Sequence, residues 1–372
     1  MIETRSQARS ESRYATINAL GVLENPNLPD SPEVDDADAA DVETLGYVSG
    51  TRGIDARALA DARSAGLSAV NITLGHVAGS GDAFCETVRD ITGWNAFVAA
   101  RADALRRVLG VADIAAAAEA GQVGVIFGFQ NTEMLGRELD RVRLFAKMGV
   151  RVIQLTYNGR NAVGDGATVP DDQGLTRFGA EVVERLQSEG VLVDLSHSSE
   201  KTCLDALALA QRPLAITHSA CRAVADHPRN KTDAELRLLA DRGGVIGLYF
   251  MPYLRLAGQP MAADLVAHLE HAIDVCGEDH VGLGTDGGTT AHDDMTAYRR
   301  RLEDEVALRR QMGIGAPGET ADVATFLPDL CGPTQFQRLA DLLAARGHGE
   351  VRIEKILGGN FRRLMADAWA HS

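Results

Sequence analysis

Residues 191–219 read VLVDLSHSSEKTCLDALALAQRPLAITHS. Two apolar, β-rich runs, VLVDLSH at 191–197 and PLAITH at 213–218, flank a segment of helical character, and each run stops on a histidine. An apolar strand, a helix and a second apolar strand make a βαβ unit, whose strands lie parallel and are buried on both faces. The same alternation extends in both directions. Further β-rich runs stand at 14–20, 69–74, 123–129, 150–157, 244–250 and 280–286. Amphipathic segments such as FVAARADALRRVLG, ELDRVRLFAKMG and FGAEVVERLQSEG separate the runs. TDAELRLLADRGG opens on a capping box, Thr232 with Glu235, and closes on glycine, which predicts a sharply bounded helix. Eight such units without a compositional break predict an α/β chain folded as one closed (β/α)8 TIM barrel.

Composition narrows the function classes. The chain has 372 residues with 45% hydrophobic and 24% charged side chains, as in a soluble globular protein. Lys+Arg number 37 against 52 Asp+Glu, a net charge of −15, so a surface that tracks phosphates is not expected and nucleic acid is not a predicted partner. No apolar stretch is long enough for a bilayer span, and the first twenty residues lack the apolar core of a secretory signal. The five cysteines, Cys85, Cys203, Cys221, Cys276 and Cys331, are scattered and never spaced as CxxC. Together these features predict a cytoplasmic protein with neither disulfides nor a thiolate metal site. Residues 1–13 are expected to be a flexible tail, 14–372 a single barrel domain, and the acidic stretch 30–43 (DSPEVDDADAADVE) a solvated loop.

Barrels of this kind carry their active sites at the C-terminal ends of the strands. Read that way, the run ends present Gln130, Tyr157, His197, His218 and Asp286, with His76 two residues past the 69–74 run. A lone histidine there is ordinarily a hydrogen-bonded rim residue. Two on neighbouring strands about 4.8 Å apart can converge on one point, where neutral imidazoles suit zinc at about 2.0–2.1 Å. Asp286, in GLGTDGG, reads either as a turn residue or as a general base beside the metal. Asp194, out of phase with His197, reads first as a packing or hydrogen-bonding residue and second as a support behind the metal ligands. Nucleophile elbows, Walker loops, dinucleotide fingerprints and HExxH pairs are absent from the sequence.

The chain from about Ile17 onward resembles the membrane (renal) dipeptidase family, zinc peptidases of the amidohydrolase-type barrel group. The resemblance lies in GVRVIQLTYN, GLTRFGAEVVERLQSEGVLVDLSHSSEKT, PLAITHSACRAVADHPRNKTDAELRLLADRGGVIGLYF and HVGLGTD, in that order. It implies a (β/α)8 hydrolase that cleaves dipeptides with a water activated between two zinc ions. It also implies His197 and His218 as ligands of the second zinc, Asp286 as the catalytic aspartate and Arg229 as the grip on the substrate carboxylate. A homodimer is implied by the same resemblance, and no membrane attachment is expected.

The sequence departs from the family pattern in three places. Leu20 and Val22 occupy the positions of the strand-one H-x-D ligands, Gln130 replaces the bridging glutamate, and Tyr157 replaces a substrate-facing histidine. Leucine and valine cannot ligate, and a neutral amide cannot bridge two dications. The expectation is therefore one zinc ion per chain, on His197 and His218 with Gln130 or Asp286. Tyr157 is expected to serve the oxyanion, with Arg229 and His76 on the substrate side. Three functions stay open at this point: a dipeptidase-like hydrolase, a mononuclear enzyme acting on a modified amino acid, and an inactive ligand-binding homologue.

Overall fold

The computed structural model describes residues 13–28, 53–79 and 81–370; the expected tail (1–13), Arg13 apart, and the acidic stretch (30–43) lie outside them. The strands are β1 (Thr16–Asn18), β2 (Leu67–Thr73), β3 (Leu105–Arg107), β4 (Val123–Phe129), β5 (Val150–Gln154), β6 (Leu192–Asp194), β7 (Ala215–Ser219), β8 (Val245–Leu248) and β9 (Val281–Leu283). All pair in parallel in the order β1-β2-β4-β5-β6-β7-β8-β9, with helices between them. Beyond the strand ends the circle is drawn together by hydrogen bonds from Ala19 N–H to the Leu283 carbonyl (2.9 Å) and from Asp286 N–H to the Leu20 carbonyl (3.0 Å). The result is a nearly closed (β/α)8 barrel, as the alternation of runs predicts.

One element departs from the sequence reading. LRR at 105–107 lies within FVAARADALRRVLG, a segment whose period is helical, yet the helix stops at Ala100 and these residues form β3. Leu105 pairs with Val123 and Arg107 with Val125, along the edge of β4 that β5 joins only from Phe127 onward. A free strand edge offers backbone partners that local periodicity does not report. The 232–244 segment behaves as its motif predicts: Thr232 and Glu235 form reciprocal caps on the helix Asp233–Asp241.

The barrel has two chemically different ends. Its lower interior is apolar, with Ile17, Ala69, Ile126, Val152, Leu192, Ala215 and Val245 packed on Phe361, Leu364 and Met365 of the helix Asn360–Trp369. That helix plugs the bottom. Two residues further up the strands, Asn71, Gln154, Asp194 and Thr217 are buried polar side chains. Alternation along the strands puts them above the apolar layer, towards the mouth. Space there is tight, since a Cβ on Gly247 or Gly284 would lie 2.0 or 1.9 Å from the Thr217 carbonyl oxygen. Only glycine lets the neighbouring strands approach Thr217 so closely. Among the described residues no helix is long and apolar enough to cross a membrane.

Candidate metal centre and active cavity

His197 stands in the turn after β6 and His218 inside β7; both are buried, and their Nε2 atoms face each other at 3.0 Å. The other ring nitrogens set the tautomers. His197 Nδ1 is 2.7 Å from Asn158 Oδ1, and Asn158 is oriented by its own Nδ2, which donates to the Ile314 carbonyl at 2.7 Å. His218 Nδ1 is 2.9 Å from Thr217 Oγ1, whose proton goes to Asp194. Each imidazole thus carries its proton on Nδ1 and turns an Nε2 lone pair towards the other. Burial, reinforced by the nearby Arg229 charge, holds both well below the usual histidine range, so both are neutral at neutral pH. Two lone pairs at 3.0 Å repel unless a cation lies between them. The spacing is short enough for one ion to bond both at ordinary zinc–imidazole lengths of about 2.0–2.1 Å. The pair therefore fits one metal ion. Among the described residues no cluster of three His, Cys, Asp or Glu side chains forms a metal site.

The two strand-one positions of the family's ligands carry apolar side chains here. Leu20 is buried in the core and Val22 lines the wall. Asn18 and Thr285 are mutually bonded, Nδ2 to Oγ1 and Thr285 N–H to Oδ1, both at 2.8 Å. Gln130 donates through Nε2 to Thr73 Oγ1 at 2.7 Å, so its Oε1 is the atom left for a ligand. Asp286 adopts φ 56°, the left-handed region uncommon for a non-glycine residue, at the turn that presents it to the cavity. Desolvation pushes its carboxyl up to about 6, against the opposing pull of Arg229 and Arg309.

Gln130, Tyr157, His197, Arg229 and Asp286 line one cavity of about 890 Å³ at the barrel mouth. His218 is fully buried and not part of that wall, with its Nε2 facing the Nε2 of His197. Arg229 is 2% exposed, donates through Nη1 to the Ser196 carbonyl at 2.5 Å, and enters no ion pair with another described residue. A buried guanidinium with donors to spare is an anion site. Tyr157 stacks on His197, with ring centroids 4.3 Å apart and planes at 20°, and its hydroxyl oxygen accepts from Arg309 Nη1 at 3.0 Å. Burial raises the phenol pKa, keeping it protonated.

His76 is placed elsewhere. Its Nδ1 is 2.7 Å from Glu86 and its Nε2 3.2 Å from Glu133, and it is not part of the cavity wall. Conversely, sequence reasoning did not single out Asn158, Arg309 or Glu319. Arg309, at the end of the helix Met295–Gln311, pairs with Glu319 at 2.9 and 3.1 Å, and Glu319 also accepts from Tyr253 Oη at 2.8 Å. The segment 309–319 is thereby tied across the mouth, with the Pro317 carbonyl bonded to His227 Nε2 at 2.8 Å. Asn158 was visible as part of LTYN; Arg309, one of several arginines in a helix of mixed charge, carries no local signal.

The sequence pattern of the membrane dipeptidase family, peptidase family M19, matches residues 54–313. An uncharacterised protein encoded in the pqqA 5′ region of Klebsiella pneumoniae is 30% identical over 284 residues, 73% of this chain and 92% of that protein. Dipeptidase verJ of Clonostachys rogersoniana is 32% identical over 168 residues, 45% of this chain and 43% of its own length. Among solved structures, an amidohydrolase from Pseudomonas aeruginosa superposes with a TM-score of 0.77 at 27% identity, covering 96% of this chain and 97% of that one. The pattern match, the relative covered almost end to end and the shared barrel agree: this chain belongs to the membrane dipeptidase family.

Proposed function

We propose that the metal-dependent dipeptide hydrolysis of this family runs here on a single zinc ion held by His197 and His218, with Gln130 Oε1 as a further ligand. The observation that carries the reading is the facing pair of Nε2 lone pairs at 3.0 Å, both tautomers set by outer partners. Zinc bound there would supply Lewis-acid activation of water and of the scissile carbonyl. Arg229 binds the substrate carboxylate through its unused N–H donors. Asp286, ionised above about 6, takes the proton from the attacking water and returns it to the leaving amine. Tyr157 donates its hydroxyl proton to the developing oxyanion, since its oxygen already accepts from Arg309. His76, between two carboxylates outside the cavity, has no part in this scheme. We also place the chain in a reducing cytoplasm, a reading supported by five unpaired cysteines.

The test pairs elemental analysis of the purified protein with a panel of dipeptides. One zinc per chain, and turnover lost in His197→Ala, is the expected result. A protein that takes up no metal under any loading condition, or that binds zinc and cleaves no dipeptide, overturns the reading.

A further inference from the structure

The Asp194 carboxylate is buried in the barrel and accepts four hydrogen bonds. Ser196 N–H and O–H reach Oδ1 at 3.0 and 2.5 Å, Thr217 N–H reaches Oδ1 at 2.9 Å, and Thr217 O–H reaches Oδ2 at 2.6 Å. Thr217 has one hydroxyl proton, and Asp194 takes it. The Thr217 oxygen, 2.9 Å from His218 Nδ1, is then left as an acceptor for the imidazole N–H. Ser196 Oγ, itself donating to Asp194, accepts the backbone N–H of His218 at 3.0 Å. One carboxylate on β6 therefore holds both the ring and the backbone of a histidine on β7.

We propose that Asp194 and Thr217 are positioning residues of the metal centre. Asp194 orients the Thr217 hydroxyl, and that hydroxyl holds His218 in the Nδ1–H tautomer, so that Nε2 faces His197 as a lone pair. A carboxylate reached through a polarised hydroxyl also makes the imidazole a stronger donor, as outer-sphere partners of metal-bound histidines do. The barrel keeps the relay in place. Glycine at 247 and 284 lets β8 and the end of β9 close on the Thr217 carbonyl, beside the hydroxyl that holds His218. His197 is set differently: its acceptor, Asn158, is braced by Ile314 in the segment over the mouth. The two histidines of one site thus answer to two separate parts of the fold.

The inference rests on reading His218 as a metal ligand, and the experiment separates the two. In the full chain, Thr217→Val removes the acceptor at nearly constant volume, Thr217→Ser keeps it, and Asp194→Asn removes the carboxylate that orients it. Nitrogen-15 NMR of the metal-free proteins reads the His218 tautomer, and chelator competition reads zinc affinity. Thr217→Val is expected to lose the exclusive Nδ1–H form and to bind zinc about 10–100-fold more weakly, with Thr217→Ser restoring both. Asp194→Asn is expected to follow Thr217→Val, and if either variant fails to fold the other decides. A folded variant without the relay that keeps the wild-type tautomer or the wild-type affinity overturns the proposal. The tautomer measurement needs no metal, so a wild-type chain that binds no zinc defeats the ligand reading while the relay is still decided.

Discussion

Arg309 Nη1 donates to the hydroxyl of Tyr157 at 3.0 Å, linking the end of a helix beyond the barrel to a residue in the loop that follows β5. The guanidinium also pairs with Glu319, and Tyr157 in turn stacks on His197. A contact made after the last barrel strand therefore orients the phenol that we propose as the oxyanion donor. Tyr157→Phe should lower kcat by about 10²–10³ with little change in KM, the loss expected for one oxyanion donor. Arg309→Ala should lower kcat by about 10-fold or more, through a lost charged hydrogen bond of about 1.5–3 kcal/mol. Steady-state kinetics on a cleaved dipeptide distinguish this from a substrate-binding role, in which KM would rise instead.

Removal of Arg229 should act on binding. Arg229→Met is expected to reduce kcat/KM by about 10–100-fold on substrates ending in a free carboxylate, the range of one or two charged hydrogen bonds. The same variant should treat a C-terminally amidated dipeptide no worse than the wild type does. Equal losses on both substrates would show that Arg229 supports the fold rather than the ligand.

The raised carboxyl of Asp286 carries two signs. As the base it must be ionised, so kcat/KM should climb with pH along an acid limb whose apparent pKa is no higher than about 6, because a bound cation pulls it lower. The limb should vanish in Asp286→Asn together with most of the activity. For stability the sign is opposite. A folded pKa above the unfolded one means that the folded state binds more protons between the ordinary aspartate range and about 6, so stability falls as pH rises through that window. Metal-free Asp286→Asn should therefore unfold at a higher temperature than the wild type at neutral pH, which a melting series across pH values checks.

Metal should stabilise the native chain by mass action. At about 100-fold excess of free zinc over Kd, the gain is about 2.7 kcal/mol. His218→Ala should abolish the rise in melting temperature on adding zinc, and chelation should return the wild type to the metal-free value. A His218→Ala protein that still responds to zinc would place the ion elsewhere.

Much of the fold and half of the site were legible along the chain. Buried parallel strands read as continuous apolar runs, and all eight barrel runs coincide with observed strands to within a few residues. Histidines ending consecutive runs had to come near each other once those runs lay parallel, because neighbouring strands are held at a fixed spacing. β3 was hidden, since Leu105 and Arg107 pair through backbone groups that carry no side-chain period.

His76 shows the limit from the other side. Its place after a strand suggested the cavity, but Glu86 and Glu133 hold its ring on both nitrogens, and nothing local in GHVAG encodes those partners. Asp194 was visible as a buried acidic residue within a strand, yet its reach to His218 depends on the register that sets β6 beside β7.

The sequence by itself determined the alternation that makes a barrel, the histidine pair at its mouth and the absence of ligands at Leu20 and Val22. These are properties of residue type and short-range period, and burial of apolar strand faces converts them directly into place. Only the tertiary structure decided which side chains orient that pair: Asn158 and Ile314 for His197, Thr217 and Asp194 for His218, Arg309 for Tyr157. Hydrogen bonds are directional and act over about 3 Å, so they depend on register and on where distant segments return.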